Sequence, residues 1–97
     1  MDGYLELGKV YLERRQNTQA VEVFMAAAKI APQDYRSYYQ AGLALKDSRD
    51  YMGAESMLRH AAHLAPQEVS IHRQLGAVVA LNLVYNRRTS PTDQVSL

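Results

Sequence analysis

Apolar and polar residues follow one another at helical spacing along nearly the whole chain. Tyr4, Leu7, Gly8 and Tyr11 stand at i, i+3, i+4 and i+7, which places them on one face of a helix, while Glu6, Lys9, Glu13, Arg14 and Arg15 fall on the other faces. The polar run Arg15-Gln16-Asn17 breaks this pattern, and Asn17 or Thr18 is placed to cap a second helix. The inner face of that helix is Ala20, Val23, Phe24, Ala27 and Ala31. It must stop near Pro32, because proline lacks the N–H that a helix requires and restricts the residue before it. Asp34 is then positioned to cap a third helix.

The same pattern returns. Tyr4, Gly8, Ala20, Ala27, Ala28, Ala31, Pro32 and Gln33 recur as Tyr38, Gly42, Ala54, Ala61, Ala62, Ala65, Pro66 and Gln67, each displaced by 34 positions. The third helix therefore packs through Tyr38, Ala41, Gly42 and Leu45. Asp50 caps the fourth, whose inner face is Ala54, Met57, Leu58, Ala61 and Ala65. Gly8 facing Ala20, and Gly42 facing Ala54, allow two antiparallel helices to approach closely, with Phe24 and Leu58 filling the space beyond. A fixed interval of this kind signals stacked helical units rather than one globular core. A third unit starts with Leu75, Gly76 and Val79 at the places of Leu7, Gly8 and Tyr11, and Tyr85 matches Tyr51. Arg88 and Thr92 then stand where an alanine and a large apolar residue are due. The periodicity predicts a fifth helix from about Val69 to Arg87, followed by a flexible tail over 89–97 that carries no apolar period.

Composition narrows the function classes. Net charge is +1 from 11 basic and 10 acidic residues, so the chain has no long-range field that would attract nucleic acid or an anionic membrane. The absence of cysteine excludes disulfides and thiol catalysis. No basic stretch followed by an apolar run opens the sequence, and the longest apolar run, Ala77 to Leu81, is too short to span a bilayer. The expectation is a soluble chain, cytoplasmic by default.

The motif Tyr4-x2-Leu7-Gly8-x2-Tyr11, followed by Ala20-x3-Phe24-x2-Ala27 and Pro32, resembles the tetratricopeptide repeat. The resemblance covers a first repeat at 1–34, a second at 35–68 and a partial repeat or capping helix at 69–88. Departures are mild: tyrosine stands where tryptophan is commonest, Asn17 replaces the aromatic that Tyr51 retains, and His72 holds the first aromatic place of the third unit. The resemblance implies an all-α, right-handed α–α superhelix of five helices whose first helices line a concave groove. The pentatricopeptide family, which reads RNA, has units one residue longer, and the interval here argues against it.

Carried over residue by residue, the family's groove positions fall on Asp2, Leu5, Lys9, Leu12 and Glu13 in the first unit. The second supplies Arg36, Tyr39, Leu43, Lys46 and Asp47, and the third Ser70, Arg73, Ala77, Ala80 and Leu81. Leu5, Leu12, Tyr39, Leu43, Ala77 and Leu81 would form an apolar strip flanked by Lys9, Arg36, Lys46 and Arg73, suited to a peptide with apolar anchors and some acidic residues. Tyr39 follows Tyr38, which the repeat uses for packing, and so points elsewhere as an amphipathic anchor. The clamp by which some family members hold chaperone C-termini is not reproduced, because its places hold Leu5, Lys9, Gln40, Ser70 and Gln74.

On the fifth helix, Ile71, Leu75, Val78 and Val79 face the body, while Ala77, Leu81, Val84 and Tyr85 spread apolar surface elsewhere. Terminal repeats normally need a polar outer face, so Leu81, Val84 and Tyr85 are candidates for self-association or docking. His60 and His63 lie three apart but have no third ligand in view, so no metal is expected. His72 occupies a packing place and reads as a core histidine. No phosphate loop, carboxylate pair or nucleophile triad is visible, so neither catalysis nor a cofactor is expected. The reading is a noncatalytic scaffold for a protein or peptide partner, with homo-oligomerisation through the last helix. The alternatives are a regulatory or substrate-docking piece of a larger enzyme or assembly factor, and, more remotely, an RNA-binding helical repeat.

Overall fold

A computed structural model describes residues 2–89. The chain forms α1 (Asp2–Glu13), α2 (Asn17–Ile30), α3 (Tyr35–Asp47), α4 (Tyr51–Leu64) and α5 (Val69–Thr89), and the described residues contain no strand. Each helix packs against its sequence neighbours. In addition α1 touches α3 and α3 touches α5, whereas α2 and α4 do not meet. That asymmetry puts α1, α3 and α5 on the inner side of a curved stack and splays α2 and α4 on the outer side.

The turns repeat as faithfully as the helices. Arg15 (φ 62°) and Arg49 (φ 67°) hold the left-handed conformation at equivalent places. Gln16 N–H donates to the Tyr11 carbonyl and Arg15 N–H to that of Leu12, a pairing that closes the end of a helix, and Asp50 and Arg49 repeat it onto Leu45 and Lys46. Asp34 and Asp50 cap α3 and α4 as the sequence predicts, accepting from the Arg36 and Gly53 N–H groups. The expectation of a cap from Asn17 or Thr18 fails: Gln16 is the N-cap of α2 and supplies no side-chain hydrogen bond. Asn17, already helical, instead donates its side-chain N–H to Asp47 at 3.0 Å.

Burial follows the small-residue pattern. Ala20, Phe24 and Ala27 of α2 and Ala54, Leu58 and Ala61 of α4 are fully enclosed, and Ile71 and Val78 of α5 pack onto the outermost layer. A Cβ placed on Gly42 would come within 2.8 Å of Leu58 Cγ, and one on Gly8 would overlap the Phe24 ring. Only glycine admits the large side chain opposite at this distance.

The first unit departs from expectation on one face. Tyr4 and Leu7, assigned to packing, are 42% and 44% exposed. The counterparts of Leu7, Ala41 in α3 and Leu75 in α5, pack against the preceding outer helix, and α1 has no preceding helix among the described residues. His72 is likewise not a core residue. Its exposed ring lies 2.6 Å from the Pro66 carbonyl, as Tyr38 donates to the Pro32 carbonyl at 3.2 Å, so both fasten the start of an inner helix to the loop before it. α5 runs to Thr89, two residues past its predicted end; the predicted tail beyond it lies outside the described residues.

Candidate functional site

The inner helices enclose a depression of about 430 Å³ where α1, α3 and the start of α5 converge. Six predicted groove residues line it: Asp2, Leu5, Lys9, Arg36, Tyr39 and Ser70. Sequence reasoning on peptide anchors missed Glu6, Tyr35, Gln40, Glu68 and Ile71, which join them there. Helical spacing does relate Leu5, Glu6 and Lys9, and likewise Tyr35, Arg36, Tyr39 and Gln40. Glu68 and Ile71 enter only because α5 folds back across α3, which no local pattern shows.

Leu5 is only 5% exposed and offers a partner little surface. It packs with Phe24, Ala41 and Ala44, because its direction on α1 carries it into the seam between α2 and α3. It is therefore floor rather than anchor. Leu12 is half-buried against the same cluster. Tyr39 packs on the clusters around Val78 and Ile71, the second of which Tyr38 also joins, and it is half-buried.

The cations do not form a uniform row. Arg36 donates to Asp34 at 2.6 Å and reaches Asp2 at 3.4 Å. Hydrogen bonding to Arg36 holds the Asp34 carboxyl below its usual range, and Asp34 in return raises the Arg36 value, so both groups stay charged. Lys46 donates to Gln74 Oε1 at 2.9 Å, joining α3 to α5. With Leu43 it lines a second depression that also includes Arg15, Asp47, Arg49 and Tyr51. Lys9, Glu13, Arg73 and Ala77 are exposed, and Leu81 is 38% exposed. The last four line neither depression. The predicted continuous strip is thus two mixed-charge hollows separated along α3. Asp2, Glu6 and Glu68 in the first hollow balance Lys9 and Arg36, so a strongly acidic ligand has no clear advantage there.

The candidate self-association residues separate as well. Tyr85 meets Tyr51 edge-on with ring centroids 6.0 Å apart, which turns one edge of its ring to the α4 side of α5 while the residue stays 51% exposed. Asn82, on the same side, donates to Glu55 Oε1 at 3.1 Å. Leu81 and Val84 remain exposed. The described residues contain no group of three or more metal-ligating side chains, and His60 packs edge-on against Tyr38 with centroids 4.2 Å apart. No helix among them is long and apolar enough to cross a membrane.

Paired antiparallel helices at a fixed interval, with an inner concave side, define a helical-repeat interaction module. A family profile described as "Tetratricopeptide repeat" matches residues 2–34 and 35–68, and the chain belongs to that family. Among solved structures it is similar to MamA 41-end from Desulfovibrio magneticus RS-1, with 26% identity and a TM-score of 0.74, over 96% of this chain and 51% of that one. It is also similar to the MamA RS-1 ArsTM double mutant, with 27% identity and a TM-score of 0.73, over 96% of this chain and 48% of that one. The chain thus spans about half the length of these structures. No curated protein matches it. Tetratricopeptide domains are in general noncatalytic modules that bind protein partners.

Proposed function

We propose that the chain is a noncatalytic scaffold that holds an extended segment of a partner protein along its inner face, in the two hollows lined by Tyr39 and by Leu43. The observation that carries this is the first hollow itself. It has an apolar floor from Leu5, Ile71 and Tyr39 and a polar rim carrying Lys9, Arg36, Glu6 and Glu68, so side chains of both kinds meet complementary groups. The two repeats extend over 2–34 and 35–68, and α5 completes the inner wall by supplying Ser70 and Ile71.

Peptides selected from a display library on the wild-type chain supply the probe. Lys9→Glu and Leu43→Glu alter the two hollows at side chains that are exposed and half-buried respectively, and far-UV circular dichroism checks that each variant remains helical. The expected result is a loss of peptide affinity of about tenfold or more for at least one variant, corresponding to about 1.4 kcal/mol. Selected peptides that bind both variants as tightly as wild type would place the binding surface elsewhere.

A further inference from the structure

The glycine of each unit marks where an outer helix sits. Gly8 receives the Phe24 ring and Gly42 receives Leu58, but a Cβ built on Gly76 meets nothing within 4 Å. Gly76 heads a stripe, Gly76, Val79, Ala80 and Leu83, at i, i+3, i+4 and i+7. In α1 and α3 the glycine is buried and the residues at the places of Val79 and Ala80 are half-buried, as Val79 itself is. In α5, Gly76 and Ala80 are exposed, and Leu83 is 62% exposed.

Among the described residues no outer helix follows α5 at the repeat's spacing. Leu83 holds the place of Arg15 and Arg49, where α1 and α3 end in left-handed turns, yet α5 continues as helix through it to Thr89. At the place of Phe24 and Leu58 the sequence has Thr92. The large apolar side chain that Gly76 lacks is present, however, on α5 itself. Leu83 lies seven residues on, about 10 Å along the same face at 1.5 Å per residue. If a second α5 lies antiparallel across the first, Leu83 of each copy falls over Gly76 of the other, and Val79 and Ala80 meet at the two-fold axis. That arrangement satisfies both holes at once, as an isologous interface requires.

We infer that the Gly76–Leu83 stripe is a two-fold docking surface for a second copy of the chain, in which each α5 lies over the other where α2 and α4 lie over α1 and α3. None of Gly76, Val79, Ala80 and Leu83 lines either hollow, so the scaffold pairs with both hollows open.

Sedimentation equilibrium over a concentration series tests this. The expected result for wild type is a mass that closes at two chains. Leu83→Glu places a charge on a side chain already in solvent, so the helices survive while the dimer dissociation constant rises about a hundredfold or more. Gly76→Leu has room in the single chain and fills the hole needed by the partner's Leu83, so it should weaken the dimer without lowering helical content. Leu7→Glu, on the open face of α1, should leave the dimer intact. A monomer at every concentration overturns the inference, as does a dimer unaffected or tightened by Gly76→Leu. Loss of association in Leu7→Glu, or a mass that grows without closing, would instead mean head-to-tail stacking of α1 on α5. Lys9→Glu and Leu43→Glu should not change the mass, so failure of the groove reading and failure of this one are separable.

Discussion

Gly42 and Gly76 stand at the same place in successive repeats, and their surroundings are opposite. Leu58 and the Ala54 carbonyl close over the first, and nothing described approaches the second. The helix bearing Gly42 ends at Asp47 in a left-handed turn, so the chain doubles back and brings Leu58 over the glycine; the helix bearing Gly76 passes the corresponding point without turning. The glycine is therefore a packing device only where the turn returns a large side chain to it. Where the turn is absent, the same residue leaves a hole in an apolar face.

The strongest way to break this contrast is to remove the filler. Leu58 is fully buried among Ala54 and Val78, and Leu58→Ala empties the space over Gly42. A loss of about 2–5 kcal/mol is expected from the lost burial and the cavity, measured by urea unfolding. Leu83→Ala removes a side chain of equal size from the equivalent open stripe and should cost little in the isolated single chain. Equal losses in the two variants would show that Leu83 is covered within one chain.

A finer probe adds a methyl group to each glycine. Gly42→Ala forces the new Cβ to within 2.8 Å of Leu58 Cγ, so the two helices must separate slightly, with an expected cost of about 1–3 kcal/mol. Gly76→Ala meets no atom and removes the backbone freedom of a mid-helix glycine. It should stabilise the single chain by about 0.5–1 kcal/mol. The two substitutions thus have opposite signs, and urea midpoints at a concentration low enough to hold single chains decide the matter.

Much of the scaffold was legible because its devices are local. The interval between Gly8 and Gly42, the prolines after Ala31 and Ala65, and the caps at Asp34 and Asp50 each act within a few residues. What depended on neighbours in space was not legible. Leu5 and Tyr39 occupy equivalent positions that the family pattern assigns to the groove, but packing onto the following unit draws Leu5 into the core and leaves Tyr39 half-buried. Tyr4 and Leu7 have the residue types of a packed face, and they pack only if another helix precedes them. Gln16 could not be recognised as the start of α2 because it caps with backbone alone, whereas Asn17 looks like a cap and uses its side chain to reach Asp47.

The smallest effect concerns how α5 stays attached where no outer helix among the described residues lies over it. Asn82 and Arg59 both hydrogen-bond the Glu55 carboxylate, and Asn82 lies on α5, so this carboxylate ties the last helix to α4. These bonds, that from Asn82 foremost, hold the Glu55 carboxyl below its ordinary value of 4.5. A carboxyl lowered in the folded state stabilises the fold above its unfolded value, and the contribution disappears as pH falls through the folded value. Glu55→Gln keeps the size of the side chain and removes the charge. The variant should therefore be slightly less stable than wild type near neutral pH, and the gap should close on acidification below the usual carboxylate range. Asp34 titrates in the same region, but it is present in both proteins and cancels in their difference. Amide exchange locates the effect: the neutral-pH loss of protection in the variant should be concentrated in α5 and spare α1 and α2. A loss shared evenly by all five helices would mean that α5 is as firmly built into the stack as the covered units, and that its open stripe carries no mechanical weakness.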